Sequence, residues 1–303
     1  MVSFGALKGR LRHAAAYDKN DYATSGTSGH GSGRNGRADG GTLHLACGAA
    51  LAGVHPSGAS HYGAPALPRE LEGRTLAQLS DLHVGPKVDD DYIIESFRRV
   101  QELAPDFVVF TGDWITYRSK GQFEQLRRVM AQAPHGRLGT VGILGNHDYG
   151  FGWQMPDVAE EVGKIVRDAG VTVLRNEAVA IAGLQFLGLD DLWGPRFDPV
   201  DLLVQRGQDA STVVLCHNPD AADRAVWGPY QGWILAGHTH GGQCKPPFLP
   251  PPLLPVTNKR YTAGEIGLSG NRRLYISRGV GHLLRVRFNV RPEIPIFQLR
   301  HAV

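Results

Sequence analysis

The chain has 303 residues, 42% hydrophobic and 20% charged, enough for one large or two small globular domains with a substantial core. Its formal net charge of +3 arises wholly in residues 1–70, where seven Lys/Arg face four Asp/Glu, so residues 71–303 balance at 25 against 25 and no basic nucleic-acid-gripping body is expected. Three scattered cysteines, Cys47, Cys216 and Cys244, exclude a disulfide framework and a structural zinc knuckle.

Residues 1–70 contain ATSGTSGHGSGRNGRADGG, a Gly/Ser-rich run with too little apolar surface to offset its ordering entropy. This region reads as a disordered leader, with the folded domain over 71–303. Its apolar run TLHLACGAALAGV (42–54) is too short to span a bilayer and too far from Met1 for an ordinary signal peptide, so neither is expected. Beyond it, TLAQLS (75–80) reads as a buried strand. DDDYIIESFRRVQELA (89–104) reads as a helix, with aspartates at its start and Ile93, Ile94, Phe97, Val100 and Leu103 near helical spacing. Strand DFVVFTG, helix QFEQLRRVMAQA, strand GTVGILG and helix VAEEVGKIVRDAG follow, the last closed by a glycine. Then come strand-like VTVLRNEAVAIAGLQFLGL, STVVLC, GWILAG and RRLYIS, and a β-rich tail, RVRFNVRPEIPIFQLR. This order predicts an α/β layered domain.

The strand ends carry the chemistry. LSDLH offers Asp81 and His83, which share a face if the backbone is extended. FTGDW offers Asp113, LGNHDYG offers Asn146, His147 and Asp148, VLCHNP offers His217, and LAGHTHGGQ offers His238 and His240. Singly, each has a plain account: a turn for Gly112–Asp113 and for GNHD, a hydrogen-bonded core histidine for His217. Jointly they form a mixed nitrogen–oxygen donor set at carboxyl strand ends, where α/β folds bind ligands, and such a set suits Mn, Fe, Zn or Co.

In this order the motifs D-x-H, G-D, G-N-H-D, H and G-H-x-H resemble those of the calcineurin-like metallophosphoesterase superfamily, from about Leu71 to Gln298. The resemblance implies a four-layer αββα sandwich and two divalent metal ions. Asp81, His83 and His240 would hold the first ion, Asn146, His217 and His238 the second, and Asp113 would bridge them. His147 would be the catalytic non-ligand, oriented by Asp148. The implied reaction is hydrolysis of a phosphomonoester, phosphodiester or pyrophosphate bond by a metal-bridging hydroxide. SDLHVGP, GHTHGGQ, LLPVTNKRYTAG, LYISRGVG and VRFNVRPEI further resemble the bacterial branch of YkuE-type phosphoesterases and UDP-diacylglucosamine hydrolases. That branch implies a phosphorylated small-molecule or lipid substrate. Members often carry an N-terminal anchor or export signal; residues 1–70 show neither, and the expected place is the cytoplasm, with peripheral contact at a membrane. No nucleic acid and no obligate protein partner are expected. The rival readings are a nuclease or cyclic-nucleotide phosphodiesterase using the same site, and a non-catalytic scaffold.

Secondary candidates are Arg260 and Arg278, as forks for an anionic substrate, and Asp190 and Asp191, as structural carboxylates near the site. CKPPFLPPPLLP (244–255) reads first as a stiff loop packed on the domain. Its alternative is an apolar rim of Phe248, Leu249, Leu253 and Leu254 that touches lipid.

Overall fold

The computed structural model describes residues 44–52, 67–116, 119–206 and 211–300 of the chain. In order, these form β1 (His44–Ala52), β2 (Thr75–Leu79), α1 (Asp90–Glu102), β3 (Phe107–Thr111), α2 (Lys120–Met130), β4 (Gly139–Ile143), α3 (Pro156–Asp168) and β5 (Thr172–Val173). There follow β6 (Glu177–Ile181), β7 (Leu184–Gly188), α4 (Val200–Arg206), β8 (Thr212–Leu215), β9 (Trp233–Ala236), β10 (Gly264–Gly267), β11 (Arg273–Ile276) and β12 (Glu293–Arg300). The strands make two six-stranded mixed sheets, ordered β1-β12-β2-β3-β4-β5 and β10-β11-β9-β8-β7-β6.

Side-chain alternation along the strands sets the layers. In the first sheet Ala77, Leu79, Val108 and Phe110 face outward and bury the apolar stripes of the helices: Ile93, Phe97 and Val100 from α1, Leu126 and Val129 from α2, Val158 and Val162 from α3. Their neighbours Leu76, Phe107, Val109 and Val141 face inward, against Phe186, Val213, Leu215 and Leu235 of the second sheet. The outer face of that sheet, through Val214, Ile234, Leu274 and Ile276, packs under Leu203 of α4, Trp227 and Tyr230. The result is the expected αββα sandwich. Its fourth layer is thin: a short helix, a 3-10 turn at Pro219–Asp223 and loops.

Helices α1 and α2 begin where side-chain oxygens relieve unpaired N–H groups. Asp89 accepts from Asp91 N (2.9 Å) and Ser119 from Gln122 N (3.1 Å).

Two backbone pairings were not expected from the sequence. Within the stretch read as a leader, β1 pairs in parallel with β12. The physical cause is the open edge of β12, whose unpaired backbone groups accept a short apolar strand. Residues 1–43 and 53–66 of the leader lie outside the described residues. The β-rich tail also shrinks to Glu293–Arg300, because the backbone of Phe288 pairs instead with Gln243 and Lys245.

Strands β2, β3 and β4 run parallel, as do β7, β8 and β9. The carboxyl ends within each set therefore lie side by side, and loops from both sheets meet over the seam between them.

Candidate metal centre

Asp81 and His83 follow β2, Asp113 follows β3, Asn146, His147 and Asp148 follow β4, His217 follows β8, and His238 and His240 follow β9. The backbone there is not extended, as the shared-face argument for Asp81 and His83 required. Left-handed φ angles occur at Asp81 (53°), His83 (49°), Asp113 (57°), His238 (72°) and His240 (50°). Each such conformation costs a non-glycine residue about 1–3 kcal/mol and persists only when its surroundings enforce it. Glycines make room: a Cβ on Gly112 would stand 2.6 Å from Gly145 N and 2.8 Å from His217 Nδ1.

Two groups of donors result. Asp81, His83 and His240 form the first, with His240 Nε2 3.4 Å from Asp81 Oδ1 and 3.0 Å from His83 Nε2. Asp113, His217 and His238 form the second. The Asp113 carboxylate joins them: its Oδ2 lies 3.5 Å from His83 Nε2 and 3.2 Å from His217 Nε2. All six side chains are buried. Asn146 is buried too, and its Oδ1 has no hydrogen-bond partner.

Burial sets the protonation states. Removal from water raises the Asp81 carboxyl to about 6 and lowers His83 and His238 to about 3. Burial, then the neighbouring His83 and Arg287, holds His240 well below the ordinary imidazole range. For His217 burial also acts downward, but Asp113 outweighs it and the imidazole rises well above its usual value, while Asp113 falls well below its own.

The hydrogen-bond network fits a cation position at the first group. Arg287 Nη2 lies 3.2 Å from His240 Nδ1, and a guanidinium can only donate. The His240 proton therefore sits on Nε2 and points at His83 Nε2, which leaves His83 Nδ1 buried and unpaired. Asp81, His83 and His240 would hold a divalent cation there, which their donor chemistry suits, in place of that proton. His217 Nδ1 is fixed by the Thr111 carbonyl (2.7 Å) and His238 Nε2 by the Pro255 carbonyl (2.9 Å), the kind of outer contact that orients ligating imidazoles.

His147 stands beside the bridge between the groups. Its backbone N–H donates to Asp113 Oδ1 (2.9 Å) and its Nδ1 faces the Thr116 carbonyl (3.0 Å). The Asp148 hydrogen bonds go elsewhere than the expected orientation of His147 would need. Its carboxylate accepts from the backbone N–H groups of Gly145 (2.8 Å), Trp114 (2.9 Å), Asp113 (3.0 Å) and Ile115 (3.2 Å). Asp148 thus ties the β3 loop to the β4 loop, and Thr116 orients the imidazole. Trp153 and Trp193 wall the site, each 4.6 Å between ring centroids from one imidazole, His147 and His238 respectively.

The arginines have distinct settings. Arg278 is engaged by Glu293, with Nε 3.4 Å from Oε2, and Arg260 is exposed in a turn held by Asn258. The guanidinium that reaches the cluster is Arg287, whose Nε and Nη1 are buried without partners. Its only mark in the sequence is a cation inside the apolar run LLRVRF. Asp190 accepts from the Tyr149 hydroxyl and pairs with Arg175, so it is structural. Cys216 is buried, with its thiol directed at the Asn218 carbonyl.

A two-sheet sandwich that gathers imidazoles and carboxylates at parallel strand ends defines a metal-dependent hydrolase. Residues 74–242 match the family of calcineurin-like phosphoesterases, and the chain belongs to it. Phosphodiesterase YaeI of Escherichia coli is 32% identical over 229 residues, covering 73% of this chain and 80% of the relative. The uncharacterized metallophosphoesterase YkuE of Bacillus subtilis is 31% identical over 245 residues, covering 77% and 82%. The UDP-2,3-diacylglucosamine pyrophosphatase LpxG of Chlamydia trachomatis is 25% identical over 276 residues, covering 74% and 83%. The protein is a metallophosphoesterase.

Proposed function

We propose that this metallophosphoesterase works with two divalent cations and hydrolyses a lipid-linked phosphodiester or pyrophosphate. Asp81, His83 and His240 hold one cation, and Asn146, His217 and His238 hold the other. The observation that carries the dinuclear reading is Asp113, whose one carboxylate oxygen faces His83 of the first group and His217 of the second. The lipid-linked reading draws support from the likeness to a relative named for a diacylglucosamine substrate.

Bound there, such cations lower the pKa of water and neutralise charge on phosphoryl oxygens. The chain's own residues do the rest. Buried imidazoles kept neutral present lone pairs rather than protons. His147, with Nδ1 committed to the Thr116 carbonyl, presents Nε2 to donate a proton to the leaving oxygen. Trp153 packs against its ring at 4.6 Å between centroids and limits its rotation. The Asp148 carboxylate holds the two loops that carry Asp113 and His147 at a constant separation.

Asp113→Ala and His238→Ala, assayed on an aryl phosphodiester with metal content measured in parallel, should each lose about a hundred- to a thousandfold in kcat, the range for removal of a main electrostatic stabiliser. Asp113→Ala should retain less metal than the wild type. Turnover at the wild-type rate in either variant sinks the assignment. Lipid-linked pyrophosphates should outrun nucleic acids and cyclic nucleotides as substrates, and the reverse order would favour the nuclease or cyclic-nucleotide reading.

A further inference from the structure

Two segments beside the metal centre expose large apolar side chains. On the proline-rich loop after His240, Phe248 is fully exposed, Leu249 is 60% exposed and Leu253 is 69% exposed, while Leu254 turns inward onto the outer core. On the segment before β12, Leu284, Val286 and Phe288 are each more than half exposed. The segments form one surface, since Lys245 N donates to the Phe288 carbonyl and Phe288 N to the Gln243 carbonyl, both at 2.9 Å. The Gln243 side chain adds bonds to the Leu284 and Val286 carbonyls, both at 3.2 Å.

The same surface carries charge of one sign. No Asp or Glu occurs in 243–260 or in 278–292, whereas Lys245, Arg285 and Arg291 are exposed there. This is a local excess within a body, residues 71–303, whose charges balance as a whole. The surface is also anchored to the chemistry: Arg287, between exposed Val286 and Phe288, turns inward to His240 Nδ1 at 3.2 Å.

We propose that this surface docks on an anionic lipid bilayer and so brings the metal centre to substrate headgroups. The proposal deepens the lipid-linked reading above and rests on it for its purpose, though not for its geometry. Exposed apolar side chains interleaved with Lys and Arg match an interface that offers acyl chains below and negative headgroups above. Prolines 246, 247, 250, 251, 252 and 255 stiffen the loop, so little freedom is lost when it inserts. A single-stranded nucleic acid would need stacking faces, and four of the six exposed apolar side chains here are Leu or Val.

The test is vesicle flotation of the full-length protein, using phosphatidylcholine alone and phosphatidylcholine with phosphatidylglycerol. The wild type should float with the anionic vesicles, less so at high salt, and remain below with neutral ones. The variant Phe248→Ser/Leu253→Ser/Val286→Ser should bind at least about tenfold more weakly, in line with loss of buried apolar area. Its turnover of a soluble aryl phosphodiester and its melting temperature should be unchanged. Lys245→Glu/Arg285→Glu should lose the preference for anionic vesicles. Asp113→Ala should float like the wild type, which separates docking from catalysis. Wild-type protein that stays below with every vesicle, or a triple-serine variant that floats as well as the wild type, overturns the proposal. So does light scattering that shows a dimer which the triple-serine variant dissolves, without vesicle binding.

Discussion

Asp191 shows how far burial alone can move one residue of this site. It is fully buried behind the second donor group, with Oδ1 accepting from Trp193 N and Oδ2 unpaired. Burial raises its carboxyl from 3.8 to about 6, His217 opposing the shift and Asp113 adding to it. The folded state therefore binds this proton more tightly than the unfolded chain. As pH rises through the window from 3.8 to about 6, stability falls, and the full deficit remains above it. A shift of that size corresponds to at most about 3 kcal/mol, at ~1.4 kcal/mol per unit. Asp191→Asn removes the ionisable group. In the metal-free protein it should raise the melting temperature at pH 8 and change it little at pH 4. Equal effects at both pH values in a thermal-shift series would show that the charge is not the cause.

At the scale of elements, the loop after β11 backs the first donor group. A Cβ on Gly279, which sits at φ 72°, would stand 2.7 Å from the Asp81 Cβ, and Gly281 N bonds the Asp81 carbonyl at 2.8 Å. Arg287 clamps this loop through the carbonyls of Arg278, Gly279 and Gly281 while touching His240. One side chain thus sets the distance between the Asp81 side of the group and its His240 side. Arg287→Gln should weaken metal retention about 10–100-fold, the usual cost of losing an outer contact to a ligand. Arg287→Lys should recover part of it by restoring a charged donor to the carbonyls. Competition with a metallochromic chelator reads both directly, and unchanged metal affinity in Arg287→Gln would remove Arg287 from the metal centre. The elements explain what was legible beforehand. Strands such as β3 and helices such as α1 showed in the sequence because apolar period and end residues agree locally. Asp81, Asp113, His217 and His240 were legible because chemistry-bearing residues interrupt apolar runs at strand ends. Arg287 was not, because its role comes from a fold-back of 285–292 onto 243–245 that no local period encodes. The partners of Asp148 were hidden for the same reason: the family resemblance implied His147, while the folded loops present four backbone N–H groups. β1 escaped because its pairing depends on the distant edge of β12.

Across the whole molecule, the metal centre is a tie between two sheets. The first sheet supplies Asp81, His83 and Asp113, and the second supplies His217, His238 and His240. Each donor group contains residues from both, so a bound cation links layers otherwise joined by the apolar contacts of the inter-sheet core. The metal-free site opposes this closure, because it buries an ionised His217–Asp113 pair and crowds His83 against His240 at 3.0 Å. Metal binding must also displace the raised His217 proton, so loading strengthens as pH rises. Folding and loading are therefore linked: a cation that binds only the native state stabilises it by about 2.7 kcal/mol at a hundredfold excess over its Kd. For a domain of this size that corresponds to a rise of roughly 5–10 °C in melting temperature. The expected result is a steep loss of thermal stability on chelation, restored by manganese, with the rise growing between pH 6 and pH 8. In Asp113→Ala, which lacks the carboxylate shared by both groups, the rise should shrink by more than half. An undiminished manganese response in that variant would place the stabilising ion outside this centre.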